Sequence, residues 1–447
     1  MKKNYWFIAL VGIFFIAVSF VVVRYTVKPE GERITWWPIE PRTGNNNAAE
    51  WNGAKQNADR QIGKLKANPK DTKAALALVN AYIAEGRISG NIMYYDNAAM
   101  NTVKRILAYE PENFEAILLK SLIELSQHHF AEGLQTAKSA EKIGTNSAFL
   151  YGLLVDANVE MGNYEDALTA ADNMVSIRPD LRSYSRIAYL REIHGDNNGA
   201  IDAMKLAVQA GLTGEETTEW CRAQLGKLYE NEGNLFQADL QYKLSLAARP
   251  GYANALAGLG RIAAFNLKYD SAVYHYEQAN SLTDDIGVKQ SLAMVYASAG
   301  KNKEADVLNE QVITKMKKNS NANEASPDAG HYSDRELAYA YVQNNDYDNA
   351  LKHALLEYNR RPKNIDVNET AAWVYYKRND TKTAMPFLKT ALSTHSMKPQ
   401  LLCLAGLLYA ENGDNEKAKT MLTLGLKNNP LLPTDLQQES KTKLSTL

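Results

Sequence analysis

Residues 225–250 read LGKLYENEGNLFQADLQYKLSLAARP. A Leu-Gly pair is followed by Tyr229 three residues after the glycine, then by Gly233, Ala238, Tyr242 and Pro250. The same order returns as Ala405-Gly406, Tyr409, Gly413, Ala418, Leu422 and Pro430. It returns again as Leu337-Ala338, Tyr341, Tyr347, Ala350, Ala354 and Pro362. With the central alanine as marker, the series is Ala167, Ala200, Ala238, Ala272, Ala305, Ala350, Ala384 and Ala418. The steps are 33, 38, 34, 33, 45, 34 and 34 residues. Upstream the register continues at Gly133 and Ala98, making about ten units. Self-similarity at such a period is the mark of a repeat array, in which length says little about domain count.

The chemistry of the unit explains its spacing. Each unit is two antiparallel helices, A and B, joined by a tight turn. Small residues on helix A (Gly226, Gly260, Ala293, Ala338, Ala372, Gly406) let helix B approach closely. The turn needs a residue that tolerates positive φ. It is Gly at 162, 195, 233, 300 and 413, and Asn at 345 and 379. An aromatic then opens helix B, as at Phe130, Tyr164, Tyr269 and Tyr347, and prolines such as Pro179, Pro250 and Pro362 end it. Three expansions interrupt the period: RISGNIMYYDN in the first hairpin, a short stretch after Gly211, and the polar run Lys317 to Gly330.

This pattern resembles the tetratricopeptide repeat family over roughly residues 70 to 430. The resemblance implies an all-α, right-handed superhelical solenoid of helix-turn-helix units. Sel1-type and other helical-hairpin repeats fit less well, because their units are longer and richer in glycine. Two units depart from the pattern, with Arg191 where tyrosine is usual and Leu267 at a turn. The expected organisation is a tail at 1–4, a transmembrane signal anchor at 5–23, a linker at 24–48 and a capping helix at 49–69. The array then runs over 70–316 and 333–430, around a flexible insertion at 317–332, and ends in a capping helix at 431–447. Arrays need such caps, since terminal units otherwise expose an apolar face.

Residues 5–23, YWFIALVGIFFIAVSFVVV, carry no charge. As a helix they would span roughly 28 Å, close to the hydrocarbon thickness of a bilayer. No small-residue cleavage site follows, and no cysteine for lipidation, so the segment reads as an uncleaved anchor. Lys2 and Lys3 favour a cytoplasmic N-terminus while Arg24, Lys28 and Arg33 oppose it. With so short a tail, the expected topology is single-pass with the array extracytoplasmic (periplasmic), the alternative being a cytoplasmic array. Trp36 and Trp37 suit either the membrane interface or packing on the first helices.

Lysine plus arginine number 50 against 51 acids, net −1, so no basic excess points to nucleic acid. Two cysteines, Cys221 and Cys403, are too few for a disulfide scaffold or a zinc site. They lie five units apart, and if units touch only their neighbours the pair does not meet; both read as small buried hydrophobes. His128 and His129 form the only histidine pair, read as solvated turn residues. Gly258-Leu-Gly260 lies in a helix A and reads as a packing pair rather than a phosphate loop. No H-E-x-x-H, C-x-x-C, G-x-S-x-G or G-K-[ST] motif is present. No cofactor, metal or catalytic residue is therefore expected. The rubredoxin-like zinc knuckle of some membrane-anchored relatives in the family has no counterpart either.

In such repeats the residue after the small one on helix A looks into the concave groove. That row reads Asp156, Tyr189, Lys227, Arg261, Met294, Tyr339, Trp373 and Leu407. One turn away stand Arg335 and Tyr376. Aromatic and cationic groups on a rigid wall suit a peptide segment. The expected partner-binding residues are Tyr189, Lys227, Arg261, Arg335, Tyr339, Trp373 and Tyr376, with Arg335, Tyr339, Trp373 and Tyr376 as the densest patch. Packing between adjacent helices A is the competing explanation of that patch. Lys227 and Arg261 match the carboxylate-holding residues of the family's chaperone-binding subgroup only loosely, so that role is not transferred. The chain is expected to be a non-enzymatic membrane-tethered scaffold in cell-envelope assembly or regulation. The alternatives are a peptide- or glycan-sensing component of an envelope transport or regulatory system, or an enzyme with a divergent site.

Overall fold

The structure is a computed structural model that describes residues 35–44, 47–325, 330–427 and 432–447, with Trp6 and residues 12–19. From residue 48 onward the described residues form 22 helices and no strand. Helix α1 (Ala48–Ala67) precedes ten antiparallel hairpins. The first five are α2 (Thr72–Ser89) with α3 (Ile92–Tyr109), α4 (Phe114–Ser126) with α5 (Phe130–Glu141), α6 (Ala148–Met161) with α7 (Tyr164–Ile177), α8 (Leu181–Ile193) with α9 (Asn197–Ala210), and α10 (Glu216–Asn231) with α11 (Leu235–Ala248). The other five are α12 (Ala253–Phe265) with α13 (Tyr269–Leu282), α14 (Ile286–Ser298) with α15 (Asn302–Ala325), α16 (Asp334–Gln343) with α17 (Tyr347–Arg360), α18 (Ile365–Lys377) with α19 (Thr381–Ala391), and α20 (Pro399–Glu411) with α21 (Asn415–Gly425). Helix α22 (Thr434–Thr446) closes the chain. Even-numbered helices from α2 on are helices A, odd-numbered ones helices B.

Local signals set these bounds. The turn residues all have positive φ, and in five units the next residue caps helix B, as Asp346 accepts from the Asn349 amide and Asp380 from that of Thr383. Across the hairpins the marker alanines at 167, 200, 238, 272, 350, 384 and 418 are fully buried. Tyr242 of α11 shows why helix A needs small residues. An added Cβ would stand 2.5 Å from its ring at Gly226 and 2.4 Å at Gly258. The tyrosine is therefore wedged between its own helix A and the next, and Gly258 is the packing glycine its place in helix A implied.

The array coils so that its second superhelical turn sits on its first. Hydrogen bonds join residues 194 to 205 positions apart, about six units of 34 residues. Hairpin tips of the early units meet the inter-unit connections of the later ones. The Asp284 amide donates to Ser89 O at 2.9 Å, and the Tyr332 amide to Gln127 O at 3.2 Å. Asn364 Nδ2 donates to Val159 O and Glu160 O, and the Ile365 amide donates to Tyr164 Oη at 2.8 Å. Arg361 pairs with Glu160, and Arg249 with Glu50 at 2.8 Å. This seam corrects the premise that units touch only their neighbours. It also corrects the reading of His128 and His129 as solvated: His129 is buried, and His128 faces His331 across the seam. Cys221 and Cys403 remain separate and fully buried.

The chain flanking the array is held as well. Residues 35–44 run extended against α2 and α3: Tyr82 and Tyr94 donate to the carbonyls of Trp37 and Pro38, and Trp51 donates to that of Glu40. Arg42 is buried between Glu85 and Glu50. Trp37 packs on Tyr94 at 4.9 Å and Arg105 lies over Trp36, so in the structure both indoles rest on the first hairpin. Residues 317–325, expected in the insertion, continue α15. No described helix is long and apolar enough to cross a membrane. The expected anchor, residues 5–23, lies mostly outside the described residues; its residues 12–19 are helical, with Ile13, Phe14, Phe15 and Ile16 exposed.

Candidate binding cavity inside the superhelix

Because helices B form the outer wall, helices A of the first superhelical turn face inward. They enclose a cavity of about 1290 Å³. Its wall is built in strips. Ile83 and Arg87 come from α2, Leu119 and Leu122 from α4, Phe149 and Asp156 from α6. Helix α8 contributes Arg182, Arg186, Tyr189 and Glu192, and α10 contributes Trp220, Gln224 and Lys227. Lys398, Pro399 and Gln400 from the second turn close one side.

The charges in the wall are largely fixed in place. Arg186 grips Asp156 through two contacts, at 2.8 and 2.6 Å, and also donates to Gly152 O. Gly152 permits this, since a Cβ there would stand 3.2 Å from the guanidinium carbon. Arg87 pairs with Glu216 at 3.2 Å, and Asn231 donates to Glu192 at 3.0 Å. Burial pushes the Glu192 carboxyl up, an effect that Lys398 and Lys227 partly offset. Lys227 is the contrasting case: it makes no ion pair among the described residues, and burial with neighbouring Arg261 lowers its pKa. Tyr189 is held protonated by burial. The wall thus offers aromatic faces beside one unpaired ammonium.

The sequence-expected residues divide into four groups. Tyr189 and Lys227 line the cavity. Arg261 does not: its guanidinium binds buried Glu230 at 3.0 Å and Tyr242 Oη at 3.0 Å. Trp373 and Tyr376 stack on one another and are buried, with Tyr376 donating to Glu439 of α22 at 2.6 Å. Within the patch expected to meet a partner, Tyr376 is thus already engaged by the chain's own last helix. Arg335 and Tyr339 are half-buried beside the seam. There, burial and Asp366 push the Glu369 carboxyl up to about 7. Burial alone would raise Asp366 too, but Lys398 at 2.7 Å, with Arg335 and Arg361, holds it below the ordinary carboxylate range. Sequence reasoning missed Phe149, Trp220, Arg182 and Arg186. Phe149, Arg182 and Trp220 each sit seven residues, two helical turns, before the groove row at Asp156, Tyr189 and Lys227, and Arg186 sits three before Tyr189.

Among the described residues no three His, Cys, Asp or Glu side chains group to hold a metal. Burial pushes the Cys221 thiol up to about 12 and that of Cys403 up to about 11, which keeps both as unreactive thiols.

Residues 399–430, the tenth hairpin, match the tetratricopeptide repeat family. No curated protein matches the chain. Among solved structures it is similar to a tetratricopeptide repeat protein from Parabacteroides merdae, at 15 % identity and TM-score 0.34, over 59 % of this chain and 98 % of that one. Yeast Tom70 is similar at 13 % identity and TM-score 0.34, over 88 % and 95 %. PilW, a type IV pilus biogenesis factor, is similar at 13 % identity and TM-score 0.38, over 45 % and 92 %. At these TM-scores none of the three bears on the partner or the site.

Proposed function

We propose that this chain is a non-enzymatic scaffold that holds a protein or peptide partner inside its first superhelical turn. The observation that carries this reading is the cavity itself. Its volume of about 1290 Å³ exceeds the roughly 300–1,000 Å³ of small-molecule pockets. Its wall joins Tyr189 and Trp220 to Arg182 and Arg186, the residue types enriched at the energetic centres of protein interfaces, and sets Phe149 and Lys227 beside them. We place the partner there rather than at Trp373 and Tyr376, which are buried, with Tyr376 already engaged by α22. The uncharged segment 5–23 supports tethering to a membrane, with the array on the extracytoplasmic side and a role in envelope assembly or regulation.

Affinity capture with the detergent-solubilised full chain tests the proposal. We expect one stoichiometric protein partner, lost when Phe149→Ala and Trp220→Ala are combined and retained in Tyr376→Phe. Capture that survives the double substitution would sink the cavity assignment. Protease access to the array in intact cells tests the side of the membrane.

A further inference from the structure

We propose that the seam between the superhelical turns is a proton-operated latch, closed at neutral pH and opened by acid through His128 and His331. The inference stands on the seam alone and does not depend on what the cavity binds.

His128 lies at the tip of the second hairpin, and His331 just before α16. Their rings are 4.0 Å apart between centroids. His128 Nδ1 lies 2.8 Å from Tyr332 O, so the proton on that ring belongs on Nδ1. The His128 ring also stacks on Phe130 at 5.1 Å, and the His129 ring lies 4.7 Å from Tyr332. Two neutral imidazoles pack well in this way, whereas two imidazolium ions at that separation repel in a site with little water.

The surrounding charges add to this. Arg361 lies over Phe130 at 4.3 Å and Arg360 over Tyr332 at 4.2 Å, and Arg335 stands at the start of α16. Most nearby carboxylates are already engaged. Glu160 binds Arg361, Glu357 binds Arg360 and Arg361, Asp334 binds Arg360 and His353, and Glu124 binds Lys120. Three carboxyls each keep an oxygen without a hydrogen bond, in Glu336, in Asp96 of α3 and in Glu124, whose other oxygen holds Lys120. Burial pushes the Asp96 carboxyl up to about 7, so it is neutral in acid and offers no countercharge.

Burial, then Arg361, Arg335 and His129, push His128 down to about 4. Burial, then His128 and His129, push His331 down to about 3 despite Glu336. An imidazole in water titrates near about 6.5. The closed seam therefore binds fewer protons than the open one below that value. Its stability is present above about 6.5 and drains away as pH falls toward 4. Glu160, raised by burial, works in the opposite sense, and its Arg361 partner offsets part of that rise. Asp96 also opposes opening only if exposed, and it stays packed within its own turn against Ser126.

The test places dyes on the full chain at Glu132→Cys and Lys352→Cys, both exposed on helices B of the two turns. The native cysteines are buried. Energy transfer should fall reversibly between about pH 7.5 and about pH 4.5, around the imidazole range, with helicity unchanged. His128→Asn with His331→Gln should abolish the fall, asparagine being suited to the φ of 60° at position 128. Gly195→Val should lower transfer even at neutral pH, since Gly195 has φ 79° and its Cβ would meet His395 O at 2.5 Å. Constant transfer in the parent, an equal fall in the histidine double variant, helicity lost in parallel, or full transfer in Gly195→Val would each overturn the latch.

Discussion

Leu267 shows how far one residue can depart from the repeat without breaking it. It holds a turn position at φ 58° and is 71 % exposed. The left-handed region brings an L side chain's Cβ against the following carbonyl, and an exposed leucine gains no packing in return. The same turn is made by Asn345 at φ 57° and Asn379 at φ 60°, residues for which that region is accessible. Leu267→Asn should therefore raise stability by about 0.5–1 kcal/mol. A urea titration of the full chain would read this as a higher midpoint at unchanged slope. A lower midpoint would mean that Leu267's contacts within the chain outweigh the cost of its backbone conformation. Tyr242 marks the opposite limit, because its ring fills the space that Gly226 and Gly258 leave, and no larger residue fits at either position.

At the scale of elements, the two ends carry more structure than a polar composition suggests. Helix α22 is polar along most of its length, yet Leu436 is 1 % exposed and packs in the core cluster that holds Trp373 and Leu401. Leu436→Ala removes that anchor and should cost about 2–5 kcal/mol, within the range for fully buried leucines. The expected readout is earlier exposure of Trp373 in denaturant, followed by fluorescence quenching. An unchanged quenching curve would show that Glu439 and Lys443 hold the helix without the leucine. The repeat was legible because its signals are local: a small residue on helix A, a turn residue and a central alanine, all within one unit. The candidate site was legible only at Tyr189 and Lys227. Arg261 was unreadable as a structural residue because its partners Glu230 and Tyr242 lie 31 and 19 positions away, in other helices. Tyr376 looked free because nothing near it in sequence announces the helix that engages it.

The whole molecule is governed by contacts that no unit contains. A linear array is stabilised by each unit and by its nearest neighbours, so parts of it can open independently. Here the seam adds links about six units apart, and the first turn supports the second. Arg361 is one of those links: its guanidinium joins Glu357 of its own hairpin to Glu160 of the first turn, and both Arg361 and Glu357 are nearly inaccessible to water. Removing one member of a buried ion pair costs about 3–5 kcal/mol. Arg361→Ala should fall at the low end, about 3 kcal/mol, because Glu357 keeps Arg360 and the Glu160 side chain is a third exposed. The effect should appear as lost cooperativity rather than a uniform shift. Followed by probes in each turn, the parent should unfold in one urea transition. The variant should unfold in two, with the second turn released first, since its connections at 361–365 lose their hold on Glu160 and Tyr164. One unsplit transition at the parent's midpoint would show that the seam is a contact of convenience and that the ten hairpins stand as an ordinary linear array.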